Sequence, residues 1–151
     1  MNDESPTLQI YNESGIEIPL QESELSSLIE FIAKQEHCRF SFVEVVYVGE
    51  DEIVEINKEH LQRDYVTDII TFRYDDDAGN LEIEGTLFCC APRITEQARE
   101  LDEPEKKEFL RIFIHGILHL IGYEDSSSTG KNKMTELEDI YLAHASDMPK
   151  L

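Results

Sequence analysis

The segment EFLRIFIHGILHLIGYED, Glu108–Asp125, decides how the chain folds. Its apolar residues recur nearly all round a helix and form no single stripe, so this helix is predicted to be central and buried. Within it, His115 and His119 are four positions apart, which places them on one helix face, one turn from each other. Each buried imidazole has two ring nitrogens that need partners, and leaving them unpaired costs several kcal/mol. The segment therefore raises the question of what satisfies both histidines.

A divalent metal ion is the partner that the spacing favours. Neutral imidazole binds Zn²⁺ at about 2.0–2.1 Å. Gly122 permits a left-handed turn that ends the helix, and Asp125 can then return to the same ion as a third ligand. Core histidines bonded to backbone carbonyls are the alternative, but the glycine and the following acid favour metal. The sequence thus predicts one Zn²⁺, or another divalent metal, held by His115, His119 and Asp125 with an open position of the catalytic type.

The segments on either side of this helix predict a small mixed sheet. Strand patterns alternate or are rich in β-branched residues, and helix patterns repeat apolar residues every three to four positions. DDDAGN, Asp75–Asn80, predicts a hairpin turn, and SSSTG, Ser126–Gly130, predicts a loop. The order βαβαββααα predicts an α+β, sandwich-like fold with a mixed four-stranded sheet covered by about five helices, in a single domain over residues 1–151. The predicted strands are Thr7–Tyr11, Phe40–Val48, Ile69–Tyr74 and Leu81–Cys90, and the predicted helices are Glu22–His37, Asp51–Leu61, Pro92–Glu100, Lys106–Ile121 and Lys131–Ala145.

The composition narrows the class of protein. The 151 residues include 33 acids against 13 bases, a net charge of −20, which repels nucleic acid at long range. Any role on nucleic acid therefore requires a local basic patch or a bound cation. Three cysteines without C-x-x-C spacing argue against a disulfide framework and a thiolate zinc site. No apolar run reaches the ~20 residues that span a bilayer, and MNDESPTLQI is unlike a signal peptide, so we expect a cytoplasmic protein without membrane contact.

The spacing H-x-x-x-H-x-x-G-x-x-D nearly matches the metzincin metalloproteases. Those enzymes have a Glu directly after the first histidine as general base, where this chain has Gly116. Their third ligand is usually His, where this chain has Asp125. Loss of the base removes several orders of magnitude in rate. A metzincin-like metallopeptidase, or another metal hydrolase, is therefore the second hypothesis.

The segment resembles the YbeY family of single-strand-specific metallo-endoribonucleases more closely. The family hallmark is H-G-x-L-H-L-x-G-Y-D-H, and HGILHLIGYED matches it at all but the last two positions. Upstream, Asn57 and TDIITF, Thr67–Phe72, are similar to the family's Asn and T-D-V-L-S-F. Downstream, Met134 and Glu138 look like a Met and a Glu of its last helix. The resemblance covers the chain from about residue 45 onward.

The resemblance implies a zinc-dependent endoribonuclease that acts on single-stranded or ribosomal RNA. Family membership would imply work in ribosomal RNA maturation, at the 3′ end of small-subunit rRNA, and in ribosome quality control, with the ribosome or ribosomal proteins as partners. The family's loop Arg falls, counted without gaps, on Leu61, so Arg63 is the nearest candidate to clamp the RNA backbone. Glu124 is a candidate to assist as general base, and Arg73 and Lys133 are further candidates to bind RNA.

Departures from the family pattern leave a third hypothesis open. The Asp of the family's G-D-I motif is Thr86 here, and its third histidine is Asp125. A carboxylate still binds Zn²⁺ at a similar distance, but it donates more negative charge and favours harder ions. The missing loop Arg and the missing third histidine would also fit a non-catalytic ribosome-associated protein with a vestigial metal site.

Overall fold

The computed structural model of the protein describes residues 7–74 and 82–146. Its elements follow the predicted order βαβαββααα, and the α+β prediction with a mixed four-stranded sheet and five helices is confirmed. The predicted turn at Asp75–Asn80 lies outside the described residues. In chain order the elements are β1 Thr7–Asn12, α1 Glu22–Glu36, β2 Arg39–Val48, α2 Glu50–Leu61, β3 Ile69–Arg73, β4 Glu82–Cys90, α3 Ala91–Glu100, α4 Glu105–Ile121 and α5 Ser128–Ser146.

The sheet has the strand order β1-β2-β4-β3. β1 and β4 run parallel to β2 on either side of it, and β3 runs antiparallel to β4 at one edge. Parallel neighbours need a crossover connection, which α1 provides between β1 and β2, and which α2 with β3 provides between β2 and β4. β3 and β4 pair in antiparallel orientation, as the sequence predicts for these two strands.

Side chains of the central strand β2 divide the interior into two cores. Val43, Val45 and Tyr47 belong to the larger core, whereas Val46 and Val48 belong to the smaller one. Successive side chains of a strand point to opposite faces of the sheet. The larger core therefore lies on the face that α1, α3, α4 and α5 cover, and α2 covers the opposite face.

Helix α4 is the central helix of the larger core, as predicted. It packs against β3, β4, α3 and α5, and its apolar side chains are buried on most sides. Gly116 lies where the helix meets the sheet, and a Cβ there would come within 2.6 Å of Ile69 Cδ1 and 3.0 Å of Leu87. Position 116 therefore has no room for the glutamate that a metzincin protease requires.

Helix α5 begins at Ser128, inside the predicted loop Ser126–Gly130 and three residues before the predicted helix start at Lys131. The Ser127 hydroxyl accepts a hydrogen bond from the Gly130 amide at 3.0 Å, and the Ser127 carbonyl accepts one from Lys131 at 2.9 Å. Ser127 thus caps the helix, which lets SSSTG contribute its first turn. No helix within residues 7–74 and 82–146 is long and apolar enough to cross a membrane.

Candidate metal centre

The site forms where α4 ends and the chain turns back. Gly122 adopts φ 126°, a backbone conformation that residues other than glycine rarely adopt. The Leu118 carbonyl accepts hydrogen bonds from the amides of Gly122 and Tyr123, which satisfies the end of the helix. This turn brings Asp125 back to the face of α4 that carries both histidines, as the sequence predicts.

Three donor atoms converge there. His115 Nε2 and His119 Nε2 are 3.1 Å apart, and Asp125 Oδ2 lies 3.4 Å from the first and 3.7 Å from the second. Zinc–ligand distances of about 2.0–2.1 Å with tetrahedral angles require ligand atoms about 3.3 Å apart. The three separations lie on either side of that value, so the residues fit a single small divalent ion.

Hydrogen bonds on the far side of each ring set the tautomer that a metal needs. His115 Nδ1 donates to Glu138 Oε2 at 2.6 Å, and His119 Nδ1 donates to the Tyr123 carbonyl at 3.0 Å. Neutral imidazole carries one proton, so both Nε2 atoms then present lone pairs. Two lone pairs 3.1 Å apart repel each other unless a proton or a metal ion lies between them. Such outer partners are typical of histidine metal ligands.

Negative charges around His115 shift its pKa in the direction opposite to that of burial. Burial lowers the pKa of His115, but the hydrogen bond and charge of Glu138, with the charges of Asp125 and Asp68, outweigh it and raise the pKa. The same surroundings that favour a proton favour a divalent cation. The site is therefore electrostatically prepared for positive charge.

The site is partly open to solvent. The side chains of His115 and His119 are 20% and 24% exposed, whereas that of Asp125 is 43% exposed. Glu124, the predicted assisting base, has an exposed side chain beside Asp125 in the chain. The Asp125 side of the site is thus the side that a substrate can approach.

Arg63 lies on the exposed loop between α2 and β3, and Asn57 organises this loop. The Asn57 carbonyl accepts a hydrogen bond from the Arg63 amide at 3.2 Å, and its side-chain amide donates to the Tyr65 carbonyl at 2.9 Å. Within residues 7–74 and 82–146 the Arg63 guanidinium makes no hydrogen bond or ion pair. It is free to bind a phosphate, and its role stays a prediction.

The other two basic candidates already have contacts. Arg73 Nη1 donates to the Leu120 carbonyl at 2.9 Å, at the end of α4. Lys133 Nζ lies 3.4 Å from Glu136 Oε2 on the exposed face of α5. Arg73 is therefore near the helix end that carries the site, and Lys133 is on the helix that carries Glu138; whether either binds RNA stays a prediction.

The sequence alone does not identify the residues that surround the site. Glu138 enters the prediction only through the family resemblance, which gives it no role. The sequence singles out neither Glu108 nor Arg111, although Glu108 is buried and both side chains join a network that reaches Glu138. The sequence feature that could have identified Glu108 and Arg111 is their i, i+3 spacing as a charged pair inside an otherwise apolar helix.

Comparisons with known proteins agree on one family. The family model described as Endoribonuclease YbeY matches residues 9–146. The Endoribonuclease YbeY of Chloroherpeton thalassium is 40% identical over 124 residues, which is 82% of this chain and 86% of that protein. The Endoribonuclease YbeY of Chlorobium limicola is 39% identical over 140 residues, which is 93% of this chain and 94% of that protein. These names support the nuclease hypothesis and neither of its alternatives.

A solved structure supports the fold. The solution structure of a Thermotoga maritima protein is similar with a TM-score of 0.63 and 29% identity, over 92% of this chain and 89% of that one. The family model spans His115 and His119 on α4, Asp125 in the turn after it, and Glu138 on α5. The chain belongs to the endoribonuclease YbeY family.

Proposed function

We propose that this chain is a zinc-dependent endoribonuclease that cleaves single-stranded RNA during ribosomal RNA maturation and ribosome quality control. Its substrate would include the 3′ end of small-subunit rRNA, and its partners would be the ribosome or ribosomal proteins. Membership of the family supports the reaction class. The observation that carries the proposal is the convergence of His115, His119 and Asp125 within 3.7 Å, with both Nδ1 atoms engaged elsewhere.

Each residue of the site has a separate role in the proposed reaction. When bound, a Zn²⁺ ion supplies Lewis acidity that activates water and neutralises negative charge on the scissile phosphate. Glu138 and the Tyr123 carbonyl hold the two imidazoles in the required tautomer and orientation. Asp125 closes the ligand set from the exposed side, and the neighbouring Glu124 is the candidate to accept a proton from water.

RNA binding requires positive charge at the site, because the protein as a whole is strongly negative. At −20 the whole molecule repels RNA at long range. The Arg63 guanidinium, which has no partner among residues 7–74 and 82–146, can bind two phosphate oxygens at once, which suits contact with an RNA backbone. Arg73 and Lys133 would add positive charge near the ends of α4 and α5. Salt weakens each phosphate contact but also screens the general repulsion, so with few such contacts we expect cleavage to fall only gently as salt rises.

Cleavage of a labelled single-stranded RNA by the wild type and by His119→Ala tests the proposal. His60→Ala is the matched control, because His60 is an exposed histidine on α2 outside the site. We expect cleavage by the wild type and the control and none above background by His119→Ala. Equal cleavage by all three proteins would assign the activity to a contaminant and sink the proposal. No cleavage by the wild type would favour the vestigial site.

A further inference from the structure

We propose that Arg111 is a positioning residue for the metal site, because it anchors Glu138, which in turn orients His115. The inference rests on the proposed metal-dependent function. Arg111 lies on α4 one turn before His115, and Glu138 faces both from α5. Arg111 would contact neither the ion nor the RNA, so its effect would pass through the Glu138 carboxylate alone.

Two buried carboxylates make this arrangement unusual. Glu108 is 1% exposed and Glu138 is 5% exposed. A buried carboxylate is destabilising unless it is paired and hydrogen-bonded. Arg111 lies between the two, with Nη1 3.5 Å from Glu138 Oε1 and Nε 2.9 Å from Glu108 Oε1. The guanidinium of Arg111 therefore pairs with both carboxylates.

The arginine is held rigidly enough to act as an anchor. Besides the Nε contact, Arg111 Nη2 donates to Glu108 Oε2, so the pair is bidentate. Gln97 on α3 donates to the same Glu108 oxygen at 3.1 Å. The hydrogen bonds to Glu108 raise the pKa of Arg111 despite its burial. The network therefore runs from α3 through α4 to α5.

The two oxygens of Glu138 have different partners. Oε1 faces Arg111 and Oε2 accepts the His115 Nδ1 proton at 2.6 Å. The Arg111 contact at 3.5 Å and the His115 contact together restrict rotation of the Glu138 carboxylate, which holds the ring of His115 with Nε2 towards His119 and Asp125. Within residues 7–74 and 82–146, loss of Arg111 leaves the buried Glu138 carboxylate with His115 as its one partner. Removing a direct outer partner of a histidine ligand typically costs roughly 10- to 100-fold in metal affinity, and Arg111 acts one contact further out, so its loss should cost less.

Titration of metal-free protein with Zn²⁺ in a calorimeter measures this effect without any RNA. We expect Arg111→Met, which keeps the length of the side chain, to bind Zn²⁺ up to about 10-fold more weakly than the wild type, because Arg111 acts on His115 only through Glu138. Arg111→Lys keeps the positive charge but cannot form the bidentate contact. Its affinity for Zn²⁺ should therefore lie between those of Arg111→Met and the wild type. Arg93→Met is the matched control, since Arg93 makes a similar i, i+3 pair with Glu96 on α3, away from the site.

A second readout separates positioning from a loss of folding. The visible spectrum of bound Co²⁺ reports ligand geometry, and we expect Arg111→Met to change it while Arg93→Met leaves it as in the wild type. If Arg111→Met does not fold, Glu108→Gln, which removes the anchor of Arg111, should weaken binding in the same direction. Wild-type affinity and spectrum in these variants would overturn the inference. A wild type that binds no metal would overturn the metal site as well, and one that binds metal without cleaving RNA would overturn only the proposed function.

Discussion

The hydroxyl of Tyr123 donates a hydrogen bond of 2.6 Å to Glu36 Oε1, which joins the turn after α4 to the end of α1. The Tyr141 hydroxyl of α5 donates to the other oxygen of the same carboxylate. The main-chain carbonyl of Tyr123 accepts the Nδ1 proton of His119, and Asp125 follows two residues later. Glu36 therefore stabilises the turn that brings Asp125 to the two histidines, from an element far away in the sequence.

Tyr123→Phe tests this link. The variant leaves Glu36 with one hydroxyl donor, and we expect a loss of roughly 1–3 kcal/mol in the free energy of unfolding. Urea denaturation measures the change. Tyr11→Phe is the control, because within the described residues the Tyr11 hydroxyl bonds Gln9 alone, and both side chains are exposed. Equal stabilities of the two variants would contradict the role of Glu36.

Gly116→Ala tests the close packing of α4 on the sheet. Its Cβ would lie 2.6 Å from Ile69 Cδ1, and we expect overpacking to destabilise the protein by about 1–3 kcal/mol. Ile69→Val removes that methyl group, so the double variant should be less destabilised than the sum of the single ones. Thermal unfolding of the four proteins measures this. Additive losses would show that the contact is not what excludes a side chain at position 116.

Asp125→Ala tests the third ligand. We expect Zn²⁺ affinity to fall by more than the roughly 10- to 100-fold cost of an outer-partner substitution, because one donor atom itself is lost. Ser126→Ala, at the adjacent exposed position, should bind as the wild type does. Calorimetric titration compares the three proteins. Unchanged affinity in Asp125→Ala would mean that two histidines alone hold the ion, or that another group completes the set.

Cys38 gives a prediction of pH dependence. Burial, with the charge of Glu36, raises the pKa of Cys38 to about 11. Since the thiolate is the reactive form, alkylation at pH 8 should be on the order of 100-fold slower than for a free thiol. The rate should rise about tenfold per pH unit until the pH approaches that pKa. Peptide mass spectrometry after iodoacetamide treatment measures it, and the chain in urea is the control; equal rates in both states would contradict the raised pKa.

Local patterns were enough to predict the order of the elements and the group of residues that could hold a metal. Apolar periodicity predicted the order of strands and helices, and the histidine spacing with Gly122 and Asp125 predicted that the three side chains meet, because these features depend on neighbours within a few residues. The start of α5 was missed because Ser127 caps it through its own hydroxyl. That choice between loop and helix depends on geometry that residue type alone does not fix.

The supporting residues depend on long-range contacts and could not be predicted. Glu138 is 23 positions from His115 and Glu36 is 87 positions from Tyr123. Their pairing is decided by how α1 and α5 pack against α4, which no local spacing encodes. Gly116 is a similar case: the sequence shows that the protease base is missing, but only the fold shows that Ile69 and Leu87 occupy the space.

Reconstitution of metal-stripped protein tests the central claim most directly. The chain is treated with a chelator, returned to Zn²⁺ in steps, and assayed for cleavage of single-stranded RNA at each step. We predict no cleavage without metal and a rise that saturates at one ion per chain, because His115, His119 and Asp125 form one site. Cleavage that persists after metal is removed, with no gain on its return, would contradict it.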